Sequence, residues 1–337
     1  MLKVIKSRKH KNNKALYYTI NFARQLYPGI LFRSRLSRKL SAIKRYDTDY
    51  IKKRLNYYNK LSQKVELTGN AKPLSEFKLG KKLKTYFFDC FEFTRYYSHK
   101  LKIDYVFGDV TRVPAQPAFV KSRPIHGDNV NSVVLKLNKV RHFTFTRDAK
   151  GFTKKLDMLV GRMNASQPQR IKFLEMFFNH PLCNVGQVNA DSKGNPNFLV
   201  ERLTIEQQLD YKFIACIEGF DVASSLKWVM SSNSLAVMPK PKYETWFMEG
   251  TLIPDYHYVL IKDDYSDLED RIKYYSAHTD EALQIIEHAH EHVNQFKNKQ
   301  QEDLISLLVL EKYFYQTGQK MVNKKIDVSL FSFPAAT

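Results

Sequence analysis

YKFIACIEGFDVASSLKWVMSSNSLAVMPKPKYETWFMEGTLIPDYHYVLIKDDYSDLEDRI, residues 211–272, is the stretch whose reading decides the fold class. KFIACIE is an unbroken apolar run closed by Gly219, which is what a strand covered on both faces looks like. DVASSLKWVMSS then predicts a helix, and SLAVMP a second strand stopped at Pro239, which has no N–H to give a ladder. KYETWFMEG predicts a short helix and HYVLI a third strand. Ser266 and Glu269 have capping-box spacing and open a helix carrying Leu268, Ile272 and Tyr275. Strands alternating with helices imply βαβ units with parallel strands, so the class is α/β.

Working outward, Thr204 with Gln207 makes another capping box, residues 167–180 are helical, and KLDMLVGR is a strand. SVVLKL and HFTF read as short strands. VTRVPAQPAFVKSRPI, residues 110–125, carries Pro114, Pro117 and Pro124 and reads as an ordered loop without regular structure. Before it IDYVFGD is a strand ending at Asp109, and residues 44–61 and 74–101 are largely helical. Toward the other end, residues 279–319 form a long helical tail. His288, His290 and His292 lie on it, but a spacing of two turns successive rings about 200° apart, so the three suit a solvated face better than a metal site.

Of the net charge of +20 on 337 residues, residues 1–60 supply +15, from 17 Lys and Arg against Asp47 and Asp49. Leu16, Ile20, Ala23 and Tyr27 recur there at helical spacing, and LFRSRLSRKLSAIKRY mixes apolar residues with cations. A basic amphipathic segment of this kind fits an anionic lipid surface or glycolipid. A plain solvated helix and a nucleic-acid surface compete for the same charge, the latter without any recognised nucleic-acid module. An apolar fraction of 43% excludes a disordered chain, and no apolar run approaches the length of a membrane span. Cys90, Cys183 and Cys216 are odd in number and lack zinc spacing, which suits a reducing compartment.

Two places can carry chemistry. Gly219, with Ser224, Ser225 and Lys227 after it, follows a strand at a point where phosphates collect on backbone N–H groups; a structural turn is the equal alternative. Asp109, after Gly108 at a strand end, is either a general base or a cap for the loop that follows. Arg162 is either a diphosphate clamp or a surface cation.

The order of Gly219, Leu226-Lys227-Trp228, Leu235 to Met238, Trp246-Phe247, Pro254, His257-Tyr258 and Asp267 to Glu269 resembles glycosyltransferase family 90, and YVFGDVTRVP resembles that family's strand-Asp-loop-Pro segment. The family includes bacterial lipopolysaccharide A proteins, fungal capsule-associated proteins and animal protein O-glucosyltransferases. The likeness is clear from residue 211 to 296, begins near Leu83, and excludes the basic N-terminus. It implies a GT-B fold, two Rossmann-like domains facing a cleft, between a basic helical extension over 1–60 and a helical tail over 296–337 that packs back on the N-terminal domain. Residues 61–155 would form the acceptor-side domain and 156–295 the nucleotide-sugar domain. The mechanism implied is inverting, with a UDP-sugar donor and no metal or other cofactor. Asp109 would be the base, and Arg112 and Arg123 would lie on the acceptor-side loop. Family members hold the diphosphate with arginines, one of them in the helix after Gly219. Ser225 stands at that position here, so Lys227 and Arg162, or Arg170, would supply the charge. The partners implied are the UDP-sugar and a lipid-linked oligosaccharide of a surface polysaccharide, reached from the cytoplasmic face of a membrane through the basic N-terminus, with no nucleic acid. The alternative from another class is a non-catalytic basic α/β protein that binds membrane or nucleic acid.

Overall fold

The computed structural model describes residues 10–190 and 195–332, so the cations among the first nine residues fall outside it. The chain divides into two compact units. One comprises Asn13–Val140, Tyr243–Phe247 and the chain from Phe296; the other comprises Arg141–Lys242 and Met248–Gln295 with residues 10–12.

The first unit opens with helices α1 (Lys14–Leu26), α2 (Gly29–Arg33), α3 (Leu36–Leu40) and α4 (Thr48–Tyr58). The carboxylate of Asp47 caps α4 by accepting from the N–H groups of Asp49 and Tyr50. Strand β1 (Lys72–Pro73), helix α5 (Lys84–Thr94) and strand β2 (Lys102–Ile103) follow, with β1 and β2 antiparallel. Strands β3 (Tyr105–Val106), β4 (Ala118–Val120) and β6 (Ser132–Val134) form a parallel sheet in the order β3-β4-β6, while β5 (Ser122–Pro124) pairs antiparallel with β11 (Tyr243–Thr245). Helix α6 (Lys139–His142) crosses the division between the units. The long helix α12 (Lys299–Gln316) is the core of this unit, with Leu304, Ile305, Leu307, Leu308, Val309, Leu310, Tyr313 and Phe314 all at 3% exposure or less. The helix is buried on every side, and it carries the buried charges Glu302, Glu311 and Lys312 with it.

Buried charge ties this unit together. Glu302 on α12 accepts from Arg54 Nη2 at 2.7 Å, Lys136 Nζ at 2.8 Å and Trp246 Nε1 at 2.7 Å. The Trp246 ring stacks on Tyr58 at 3.8 Å, 6° from parallel.

The second unit is an open sheet of five parallel strands. Strand β7 (Leu156–Met163), α7 (Pro168–Phe177), β8 (Cys183–Gln187), α8 (Ile205–Gln208), β9 (Tyr211–Ala215), α9 (Leu226–Val229), β10 (Leu235–Met238), β12 (Val259–Leu260), α10 (Leu268–Ala277) and α11 (Thr279–Asn294) follow in turn. The strand order is β12-β10-β9-β7-β8, a doubly wound arrangement whose direction of winding reverses between β7 and β9. Leu159, Phe213, Val237, Val185 and Phe173 belong to its core.

The α/β class and the parallel strands agree with the sequence; several local elements differ. The supposed loop over 110–125 contains β4 and β5, because Pro117 precedes one strand and Pro124 ends the other. KYETWFMEG is not helical: its first residues form β11, where Glu244 lies opposite Arg123. HFTF is not a strand; α6 ends at its first residue. Only Leu226–Val229 of the helix expected over 221–232 is helical. The capping box at Thr204 and Gln207 makes both its bonds, whereas Ser266 turns its N–H and Oγ onto Asp264 Oδ1 and caps nothing. His292 is buried, and His290 bonds the carbonyl of Ser232, so that face of α11 is not wholly solvated. Cys90, Cys183 and Cys216 are buried free thiols. No described helix is long and apolar enough to cross a membrane.

Candidate active site

In the first unit the carboxyl ends of the parallel strands carry Asp109, three residues beyond β3, and Lys121, one residue beyond β4. Gly108, at φ +121°, provides a backbone conformation that a side chain would strain, and so aims Asp109 at the end of its strand. The Ser122 hydroxyl fastens the next residue by accepting from Val110 N–H and donating to Val110 C=O. Lys121 Nζ reaches Asp109 Oδ1 at 2.5 Å, and Tyr86 Oη donates to the same oxygen at 3.4 Å. Lys121 is buried at 2% exposure while the Asp109 side chain keeps 35%. Oδ2 has no hydrogen-bond partner among the described residues, which leaves one oxygen held and the other presented.

In the second unit the winding reversal between β7 and β9 puts a crevice at their carboxyl ends, where an open α/β sheet receives ligands. Arg170, near the start of α7, spans that crevice. Its guanidinium donates to the carbonyls of Ile217 and Glu218 beyond β9 and of Asn164 beyond β7. Gln169 donates to the carbonyls of Glu218 and Gly219. Gly219 lies under the guanidinium; a Cβ there would stand 3.0 Å from Arg170 Nη2. Ser224 and Ser225 are half-buried, and Ser225 Oγ donates to Cys216 Sγ at 3.7 Å. Burial pushes the Cys216 thiol up to about 12, so it is a neutral partner rather than a nucleophile.

Arg170, Gly219, Ser224 and Ser225 therefore sit on the turns around one crevice. Three other expected residues are engaged inside their own units. Lys227 is fully buried and ion-paired with Glu249 at 2.7 Å, so the cation expected beside Gly219 is neutralised. Arg162 donates to the carbonyls of Gly161, Asn184 and Glu201 and to Asn184 Oδ1, binding neighbouring chain segments together. Arg123 is not on an acceptor loop: it lies in β5 at 0% exposure, paired with Glu244 and donating to the carbonyls of Tyr57 and Ser132. Arg112 is exposed. Lys121 and Tyr86 were not singled out in the sequence, because the strand that places Lys121 is hidden among prolines.

A profile of glycosyl transferase family 90 matches residues 153–316, a range that includes Arg170 and the Gly219 turn. The chain is 43% identical over 264 residues to the O-glucosyltransferase LpsA of Dichelobacter nodosus, which covers 78% of this chain and 82% of that protein. It is also 36% identical over 94 residues to uncharacterized protein 035R of Invertebrate iridescent virus 3, 27% of this chain and 8% of the viral protein.

Proposed function

The chain belongs to glycosyltransferase family 90, and from that premise we propose that it is an inverting, metal-independent enzyme of GT-B type that moves a sugar from a UDP-sugar to a lipopolysaccharide or lipooligosaccharide core. The name of its bacterial relative makes glucose the first sugar to test. The acceptor is lipid-linked and is met at the cytoplasmic face of a membrane. The single observation that carries the reading is Asp109, a carboxylate with one oxygen held by a buried lysine and the other presented at the end of a parallel strand.

In the proposed step Asp109 Oδ2 takes the proton of the acceptor hydroxyl. The acceptor oxygen bonds the anomeric carbon as the bond from that carbon to the diphosphate breaks, and UDP leaves. One displacement inverts the anomeric configuration. Lys121 keeps the carboxylate in place. Arg170, whose guanidinium lies over Gly219, and the Ser224 and Ser225 hydroxyls receive the diphosphate, whose negative charge grows as the bond breaks. Lys227 and Arg162 act as positioning residues for these turns.

The test is release of free nucleotide from UDP-glucose, and from other UDP-sugars, in the presence of deacylated core oligosaccharide, with and without a chelator. Turnover that survives chelation and yields an inverted glycoside supports the proposal. Failure with every nucleotide sugar would reject the enzyme reading, and strict dependence on a divalent ion would reject the metal-free mechanism.

A further inference from the structure

Helix α1 is mounted with its apolar side outward. Leu16, Ile20, Ala23 and Tyr27 share a face by spacing, and all four are exposed, Leu16 at 56% and Tyr27 at 60%. The side turned to the protein is mixed: Tyr17 Oη donates to Asp89 at 2.7 Å, Asn21 is buried and Arg24 pairs with Glu92 at 2.6 Å, while the rings of Tyr18 and Phe22 pack edge-on to Phe88. At the end of the helix Leu26 is 85% exposed, and α2 adds Ile30 at 64% and Leu31 at 45%. Of nineteen exposed large hydrophobic side chains among the described residues, seven fall within residues 16–31, whereas an ordinary surface scatters them singly.

The charge that follows this face in the chain selects its occupant. Residues 1–46 contain no Asp or Glu. Arg35, Arg38, Lys44 and Arg45 are exposed, and Arg38, Lys39 and Arg45 line a cavity of about 360 Å³ with Tyr46, Gln300 and one acidic residue, Asp303. A two-fold contact with a second copy would press these cations against their own counterparts. Nucleic acid would satisfy the cations but leave the apolar stripe in water. An anionic bilayer satisfies both, through its lipid phosphates and through the apolar boundary just beneath them.

We propose that α1, the turn at Tyr27 and Pro28, and α2 form a membrane-docking face. Its apolar side chains enter the boundary between headgroups and acyl chains, and Arg35, Arg38, Lys44 and Arg45 lie on the phosphates of anionic lipid. The inference extends the lipid-linked acceptor of the proposed function, but its test involves neither donor nor acceptor.

Full-length protein is sedimented with vesicles of phosphatidylcholine alone and of phosphatidylcholine mixed with phosphatidylglycerol. Binding is expected only to the mixed vesicles and to weaken as salt rises. The doubly substituted Leu26→Ser, Ile30→Ser protein should lose about tenfold or more of its partition coefficient, and so should Arg38→Gln, Arg45→Gln, with melting temperatures unchanged because all four side chains are exposed. No binding to anionic vesicles, or equal binding by the apolar variant, overturns the proposal. So does a wild-type dimer that Leu26→Ser, Ile30→Ser converts to a monomer without changing vesicle affinity. If vesicles bind as expected but no nucleotide sugar is turned over, the catalytic reading fails and this one stands.

Discussion

Asp109 gives one carboxylate oxygen to the ion pair with buried Lys121 and presents the other at the end of a parallel strand. Substituting Asn preserves shape but removes the proton acceptor, so Asp109→Asn should lower kcat by about 10²- to 10⁴-fold while leaving the KM for the donor nearly unchanged in nucleotide-release kinetics. Gly219 offers an independent check on the donor side. In Gly219→Ala the new methyl meets the Arg170 guanidinium at 3.0 to 3.2 Å, so the guanidinium must shift by a few tenths of an ångström against the carbonyls it holds. The expected result is a donor KM raised several-fold, about tenfold at most, with the fold retained by circular dichroism. Both residues were legible in the sequence because each is a distinctive residue at the end of an apolar run. The roles of Lys227 and Arg123 were not. A sequence shows that a cation is present, but the carboxylate that neutralises it, Glu249 or Glu244, becomes its neighbour only through folding.

At the scale of single elements, legibility follows the range of the deciding interaction. The Thr204 capping box closes within four residues and forms as read; the one at Ser266 loses to Asp264, two residues upstream. β11 was read as helix because the strand it pairs with lies more than a hundred residues away. Helix α1 shows the same limit in another form: its stripe was evident, but periodicity does not say which way a stripe faces. Part of what holds α1 is an ion pair, Arg24 with Glu92, and this has a pH signature. Burial pushes the Glu92 carboxyl up, but Lys139 and Arg24 outweigh burial and hold it at about 2, below its ordinary 4.5. A depressed carboxyl stabilises the fold fully above the unfolded value and loses that contribution as pH falls toward the folded one. The stability gap between wild type and Glu92→Gln should therefore be constant above about pH 5 and close progressively between 4.5 and about 2, as measured by urea unfolding across pH. Asp89, pushed up by burial and also by Glu92, shares Lys139 with it, so the substitution should also bring the Asp89 carboxyl down.

For the whole molecule, the fold class was legible from residues 211–272 because successive strands and helices there follow a repeating local pattern. The excursion of Tyr243–Phe247 into the other unit was not, since five residues change no composition and break no periodicity. Its anchor is Glu302. Burial pushes that carboxyl up, yet Lys136 and Arg54 bring it below the ordinary range, so it is charged where it meets Trp246. Replacing it with Ala would strand two buried cations, and denaturant unfolding should show a loss of about 3 to 5 kcal/mol. Trp246→Phe, which removes one donor and leaves both cations paired, should cost distinctly less in the same measurement.

The brief return of Tyr243–Phe247 also governs how this protein can be taken apart. The chain passes between units at 12, 140, 242, 247 and 295, so they are laced together rather than strung on one tether. A protease that cuts any one of those crossings leaves the two units still joined through the crossings that remain. Neither unit corresponds to a continuous gene fragment: residues 141–295 made alone would carry β11 without β5, and residues 13–140 would enclose Arg123 without Glu244.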